Sequence, residues 1–262
     1  MVLGAVAYDP KVVTIWDGFK AHFEAQGLPF DYVLFHNYER QVQALFDGYI
    51  DVAWHSPLAW VQQVESAAAL GRSCRAVVMR DTDCDLRSAI VVRTDGPDRL
   101  RALRGGKVGV GAADSPQATL LPLLHLADEG IEPGRDVAVV RHDVLLGKHG
   151  DHVGGERDAA RALLRGEVDA ACMIEGNLLA FASDGTLPAG SVRVLSRTAP
   201  YDHCNFTVLD GKNTEAFEHI LLAMRWDDPA VRRLMDLEGL REWRPGRTTG
   251  YAALTRAWER FR

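Results

Sequence analysis

The feature that most constrains this chain is a rhythm. Over residues 2–54 apolar strand-like runs alternate with helical spacing as strand, helix, strand, helix, strand, and the same plan returns in the middle of the sequence. Residues 2–8 read as a buried strand, and Val12, Ile15, Trp16, Phe19 and Phe23 recur at the spacing of one helical face. A second strand over 30–35, a helix over 39–46 closed by Asp47-Gly48, and a third strand over 50–54 complete the first unit. Strands alternating with helices build mainly parallel sheets, because a helix must carry the chain back to the same end each time.

Further strands are expected over 76–79 and 88–93. After Thr94-Asp95-Gly96-Pro97 the second unit begins, with strands over 107–111, 137–141 and 168–173 and helices over 117–129 and 157–164. Strands over 191–195 and 206–209 then lead into a mostly helical tail. We find the same architecture twice and no repeat at the level of residues. No Pro/Ser-rich linker separates the units, so the expected organisation is two lobes: 1–92 plus 199–262, and 93–198. Their two strand crossings would form a hinge, with a ligand cleft between the lobes at the carboxyl ends of the strands.

At 262 residues the chain is long enough for two such lobes, and its 47% hydrophobic and 25% charged content is that of a globular protein. A net charge of −6 argues against nucleic acid or an anionic membrane as the main partner, while leaving room for a locally positive pocket. No run approaches the length of a membrane span, so membrane insertion is not expected. The first residues have no basic or signal-like character, which points to a cytoplasmic protein, or to a periplasmic one whose leader has been removed. The four cysteines, Cys74, Cys84, Cys172 and Cys204, show no CxxC pairing and read as reduced thiols; a Cys74–Cys84 bridge cannot be deduced or dismissed from sequence.

The stretch Gly48-Tyr49-Ile50-Asp51-Val52-Ala53-Trp54-His55-Ser56-Pro57-Leu58-Ala59-Trp60 resembles the signature of phosphate/phosphonate-binding components of ABC transporters. Lys107–Val110 through Leu121-Pro122, then Leu164–Ala170, match that family's second lobe in order and spacing, so the resemblance covers residues 2–210. It implies a class II periplasmic-binding-protein fold that closes on a small anion. At the family's anion-gripping Ser-Thr-Ser-Gly turn this chain reads Ser115-Pro116-Gln117-Ala118. Leu86 stands where the family often has a tyrosine, and Arg157 where it has a histidine. The resemblance therefore implies anion binding and leaves the class of anion open: phosphonate, phosphate, sulfonate or carboxylate.

Several residues are candidates for the site. Ser56, Ser115 and Gln117 lie at helix starts, where hydroxyl, amide and backbone N–H groups can receive an anion; Ser56 could equally be a plain cap. Arg157 suits bidentate recognition of an oxyanion. Tyr8, His55 and His203 would shape the organic part, and Glu175 could meet a cationic group or simply face solvent. The loop 142–157 carries Lys148, His149, His152 and Arg157 among glycines, and three readings stay open for it: an anion cradle, a metal site using His149, His152 and Asp151 or Glu156, or a solvated insertion. His203 and Cys204 are adjacent, and if they lie on a strand their side chains point to opposite faces, so no direct pair is expected.

The expected function is binding of a small anionic molecule without a cofactor, with an ABC permease as partner only if the chain is exported. The alternative is a cytoplasmic decarboxylase, lyase or hydrolase on the same scaffold. It would use His55, His149, His152, His203 or Cys204, alone or with a divalent transition metal. No Walker loop, dinucleotide fingerprint or GxSxG elbow supports it.

Overall fold

The computed structural model describes residues 1–150 and 154–262. In chain order the first elements are β1 (Val2–Val6), α1 (Lys11–Ala25), β2 (Asp31–Phe35), α2 (Tyr38–Phe46), β3 (Val52–His55), α3 (Pro57–Ala68) and β4 (Cys74–Arg80). The middle of the chain forms β5 (Ser88–Arg93), β6 (Lys107–Val110), α4 (Leu121–Asp128), β7 (Ala138–Arg141), α5 (Glu156–Leu164), β8 (Ala170–Ile174), α6 (Gly176–Ser183) and β9 (Val192–Arg197). The last elements are β10 (Asn205–Leu209), α7 (Glu215–Ala223), α8 (Pro229–Glu238), β11 (Trp243–Pro245) and α9 (Ala252–Phe261).

The chain divides into two compact units, 1–85 with 202–251, and 86–201 with 252–262. The boundaries differ from the expected lobes in two respects. Strand β5 lies in the second unit, because it pairs antiparallel with both β8 and β9. The C-terminal helix α9 also belongs there: Phe261 packs on the cluster holding Val108 and Leu126, and Arg256 and Arg260 reach Asp128 and Glu132 at 2.8 and 2.5 Å. The chain therefore passes between units three times and not twice.

The sheet of the first unit runs β11-β4-β10-β3-β1-β2, with β1 parallel to β2 and β3, and β10 antiparallel to β3 and β4. Its core is aromatic. Phe206 on β10 sits 4.6 Å from Trp54, 5.0 Å from Phe217 and 5.4 Å from Trp243, ring centre to ring centre. The helical stripe Val12, Ile15, Trp16, Phe19 and Phe23 is buried as its spacing predicts.

The sheet of the second unit runs β7-β6-β8-β5-β9. Alternation along a strand sends neighbours to opposite faces. Ala89, Val91, Ala171 and Met173 accordingly enter one cluster, and Ile90, Val92, Ala170 and Cys172 the other. With both faces covered, these strands have no polar side and read as continuous apolar runs.

The helix expected over 117–129 starts one turn wider, as a π-turn over Pro116–Leu120 that runs into α4. Pro122 has no N–H to give to the carbonyl of Ala118. That carbonyl instead accepts the N–H of Gly111 at 3.2 Å, which ties the helix start to the end of β6. All four cysteines are free thiols. No helix among the described residues is long and apolar enough to cross a membrane.

Candidate functional site

Two helix starts share one construction. In the first unit β3 runs into Ser56-Pro57-Leu58-Ala59, and the Ser56 hydroxyl oxygen accepts the Ala59 N–H at 3.1 Å. In the second unit the segment after β6 reads Ser115-Pro116-Gln117-Ala118, and the Ser115 oxygen accepts the Ala118 N–H at 3.2 Å. Each serine has extended backbone geometry, each proline takes the first helical position, and each start follows the carboxyl end of a parallel strand. The two starts share Ser-Pro-x-Ala, a four-residue match too short to amount to a sequence repeat.

In the first unit His55 ends β3, fully buried and in register with Asn205 on β10. Asn205 donates from its amide to the Tyr251 hydroxyl at 2.9 Å, and that hydroxyl donates to the His203 carbonyl at 2.9 Å. Tyr8 is half-buried against the core, with the Lys11 ammonium 5.7 Å from its ring centre.

The expectation that His203 and Cys204 do not pair is overturned. His203 Nδ1 and Cys204 Sγ are 3.1 Å apart. The physical reason is that β10 begins only at Asn205, so strand alternation does not govern the two residues. Both are buried beside a cluster that sequence spacing gave no sign of. The Arg80 guanidinium makes two bonds to Asp83, at 2.5 and 2.9 Å, and a third to Glu238 at 3.1 Å, and Asp83 lies 3.4 Å from His203 Nδ1. Burial pushes the Asp83 carboxyl up, but Arg80 and His203 outweigh it and hold it well below the usual carboxylate range.

In the second unit Ser115, Gln117 and Thr119 are fully buried. Gln117 Nε2 donates to the carbonyl of Gly150, whose backbone lies directly on the Ser115 side chain: a Cβ at Gly150 would stand 2.2 Å from the Ser115 oxygen. A Cβ at Gly111 would likewise meet the Gly154 carbonyl at 2.2 Å, and Ala112 N–H donates to that carbonyl at 3.0 Å. The loop glycines thus bring backbone against backbone and seat the loop on the helix start. Asp114 fixes it further by accepting the Gly147 N–H at 2.6 Å.

The remaining candidates lie elsewhere in this unit. His149 is buried in the loop with a left-handed backbone, φ 52°. Asp151 and His152 lie outside the described residues. The Arg157 guanidinium is committed to Asp184 and Thr186, each at 2.5 Å, and lies over the Phe181 ring. Glu175 forms an ion pair with Arg197 at 2.6 Å. Glu156 joins no cluster of metal-ligand type among the described residues. It is fully buried at the start of α5, where one carboxyl oxygen accepts the Ile174 N–H at 3.0 Å and the Asn177 amide at 2.7 Å.

Residues 5–251 match the family model described as ABC transporter, phosphonate, periplasmic substrate-binding protein. The chain belongs to this family. It adopts the family's class II periplasmic-binding-protein fold, with two α/β units and the middle of the sequence building the second. Among solved structures it resembles PhnD1 from Prochlorococcus marinus in complex with methylphosphonate, with TM-score 0.74, 13% identity, and 99% of this chain and 97% of that one covered. XAC2383 from Xanthomonas citri, bound to chloride, gives TM-score 0.75 at 19% identity over 100% and 98% of the two chains. The aliphatic sulphonate binding protein SsuA from Escherichia coli gives 0.63 at 17% identity over 100% and 86%. At such identities the likeness speaks for the fold. No curated protein matches the sequence.

Proposed function

We propose that this chain is a solute-binding protein for a small oxyanion, received in the second unit at the Ser115–Ala118 helix start. The family match over 5–251 carries the binding function. The local chemistry agrees with it. A helix start offers backbone N–H groups and the positive end of the helix dipole, and the Ser115 hydroxyl is a further donor once it turns from its cap. Relatives of the same fold are described with methylphosphonate, chloride or aliphatic sulphonates. The substrate class is therefore a phosphonate, phosphate or sulfonate, with carboxylates as the remaining class to test.

The enzyme alternative built on His55, His203 and Cys204 gains nothing from the family match. Arg80 and Asp83 close in the His203–Cys204 pair within the first unit's core. The family description places its members in the periplasm, where an ABC permease would be the partner. Cell fractionation decides between that compartment and the cytoplasm.

Calorimetric titration with methylphosphonate, inorganic phosphate, ethanesulfonate and acetate tests the reading. One of the anions should bind and be recovered unchanged. Ser115→Ala should weaken it by about tenfold to a hundredfold, the worth of one hydrogen bond to a charged group, whereas Arg157→Ala should leave it within about threefold. Consumption of the ligand, or full affinity in Ser115→Ala, would overturn it.

A further inference from the structure

Glu156 raises a problem of hydrogen bonding. Its carboxyl is fully buried, and one oxygen, Oε2, is satisfied by Ile174 and Asn177. The other, Oε1, has no donor, and neither has Oε1 of Gln117, whose side chain lies against Glu156. Among the described residues no cation acts on the carboxyl. The titratable groups that face it are Cys172 on β8 and Tyr201, and burial holds both neutral. A bare carboxylate here would be a buried charge with half its lone pairs unmet, an arrangement that strongly favours protonation. A proton on Glu156 would remove the charge and supply a donor where two acceptor oxygens lack one.

We propose that Glu156 is a positioning residue for the anion-binding helix start: as a neutral acid it donates to Gln117, and Gln117 in turn holds the Gly150 backbone on Ser115. The proposal rests on the reading of Ser115–Ala118 as the anion site. The chain of contacts is continuous within the second unit. Asn177 and Ile174 fix Glu156, the Gln117 side chain lies against it, and the Gln117 amide donates to the Gly150 carbonyl. Burial pushes the Glu156 carboxyl up from its ordinary 4.5 to about 8, against the opposing pull of the Asn177 and Ile174 donors. The acid thus keeps its proton at neutral pH. Above that range it ionises, withdraws the donor from Gln117 and places a negative charge behind an anion site.

The test compares the wild-type protein with Glu156→Gln, which keeps a donor of similar shape and cannot ionise. Methylphosphonate affinity is measured between pH 6 and 9.5, and the phosphonate's own ionisation is common to both proteins. Hydrogen exchange of the Gln117–Leu120 amides, corrected for intrinsic rates, is followed without ligand. Infrared difference spectra of the two proteins report the carboxyl. The wild-type protein should show a protonated carboxyl at pH 6.5 that is absent from Glu156→Gln. Its affinity should fall at least tenfold by pH 9.5, and exchange at the helix start should rise over the same range. Glu156→Gln should bind within about threefold of wild type at pH 7 and show a flat difference profile. Parallel profiles in the two proteins, or an ionised Glu156 at pH 6.5, would overturn the proposal. If wild type binds no anion, the functional reading fails while the exchange and infrared measurements still decide the role of Glu156.

Discussion

Replacing Arg80 by alanine takes one cation out of a buried cluster and leaves two carboxylates behind. The side chains of Arg80, Asp83 and Glu238 are 7%, 2% and 5% exposed, so water cannot take over the lost bonds. Breaking a buried ion pair by removing one partner costs about 3–5 kcal/mol, because the remaining charge stays desolvated. The guanidinium also lies 5.1 Å from the Trp54 ring centre, a contact worth about 0.5–2 kcal/mol. A loss of about 4–6 kcal/mol results. For a cooperative unit comprising residues 1–85 and 202–251 this lowers Tm by about 15 °C. Differential scanning calorimetry at pH 7 measures it, and a drop under about 3 °C would refute the reasoning.

The same cluster sets a pH dependence of known sign. Wild-type Asp83 is held below its ordinary 3.8, so its contribution is present above that pH and is lost as pH falls through the lower folded value. In Arg80→Ala the two buried carboxylates have lost the guanidinium and are relieved by taking up protons. The gap in Tm between the proteins should therefore narrow from pH 7 towards pH 4. A gap that widens on acidification would also count against the account.

Two further outcomes follow from particular contacts. Gly150→Ala must place a methyl group 2.2 Å from the Ser115 oxygen at a backbone φ of 63°, so it should destabilise the second unit by about 1–3 kcal/mol in urea titration and weaken anion binding; wild-type stability would show that the loop is not seated there. Thiol titration of the native protein should find Cys172 and Cys204 unreactive, and Cys74 and Cys84 slow, because burial pushes the Cys74 and Cys84 thiols up, Cys74 to about 12. All four should react after denaturation, and fewer than four would reveal a bridge that the structure lacks.

The fold was largely legible because periodicity is a local property. The spacing of Val12, Ile15, Trp16, Phe19 and Phe23, the apolar runs of β1, β3, β6 and β8, and the Ser-Pro helix starts each follow from what neighbouring residues can do without help from afar. The site was less legible. Ser56 is the helix cap its surroundings allow and Ser115 caps its helix start as well, but Arg157 is spent on Asp184 and Thr186, and Glu175 on Arg197. Those partners lie 27, 29 and 22 residues away, at separations that carry no sequence signal.

Sequence by itself determined the element order, the two-unit plan, the family and the two helix starts, since each depends on residues a few positions apart. Only the tertiary structure decided that α9 completes the second unit, that His203 meets Cys204 beside Arg80 and Asp83, and that Glu156 is buried against Gln117. Burial explains the difference. It turns an ordinary acid or arginine into a group whose partners and proton must be accounted for, and no residue can be called buried until the whole chain has closed around it.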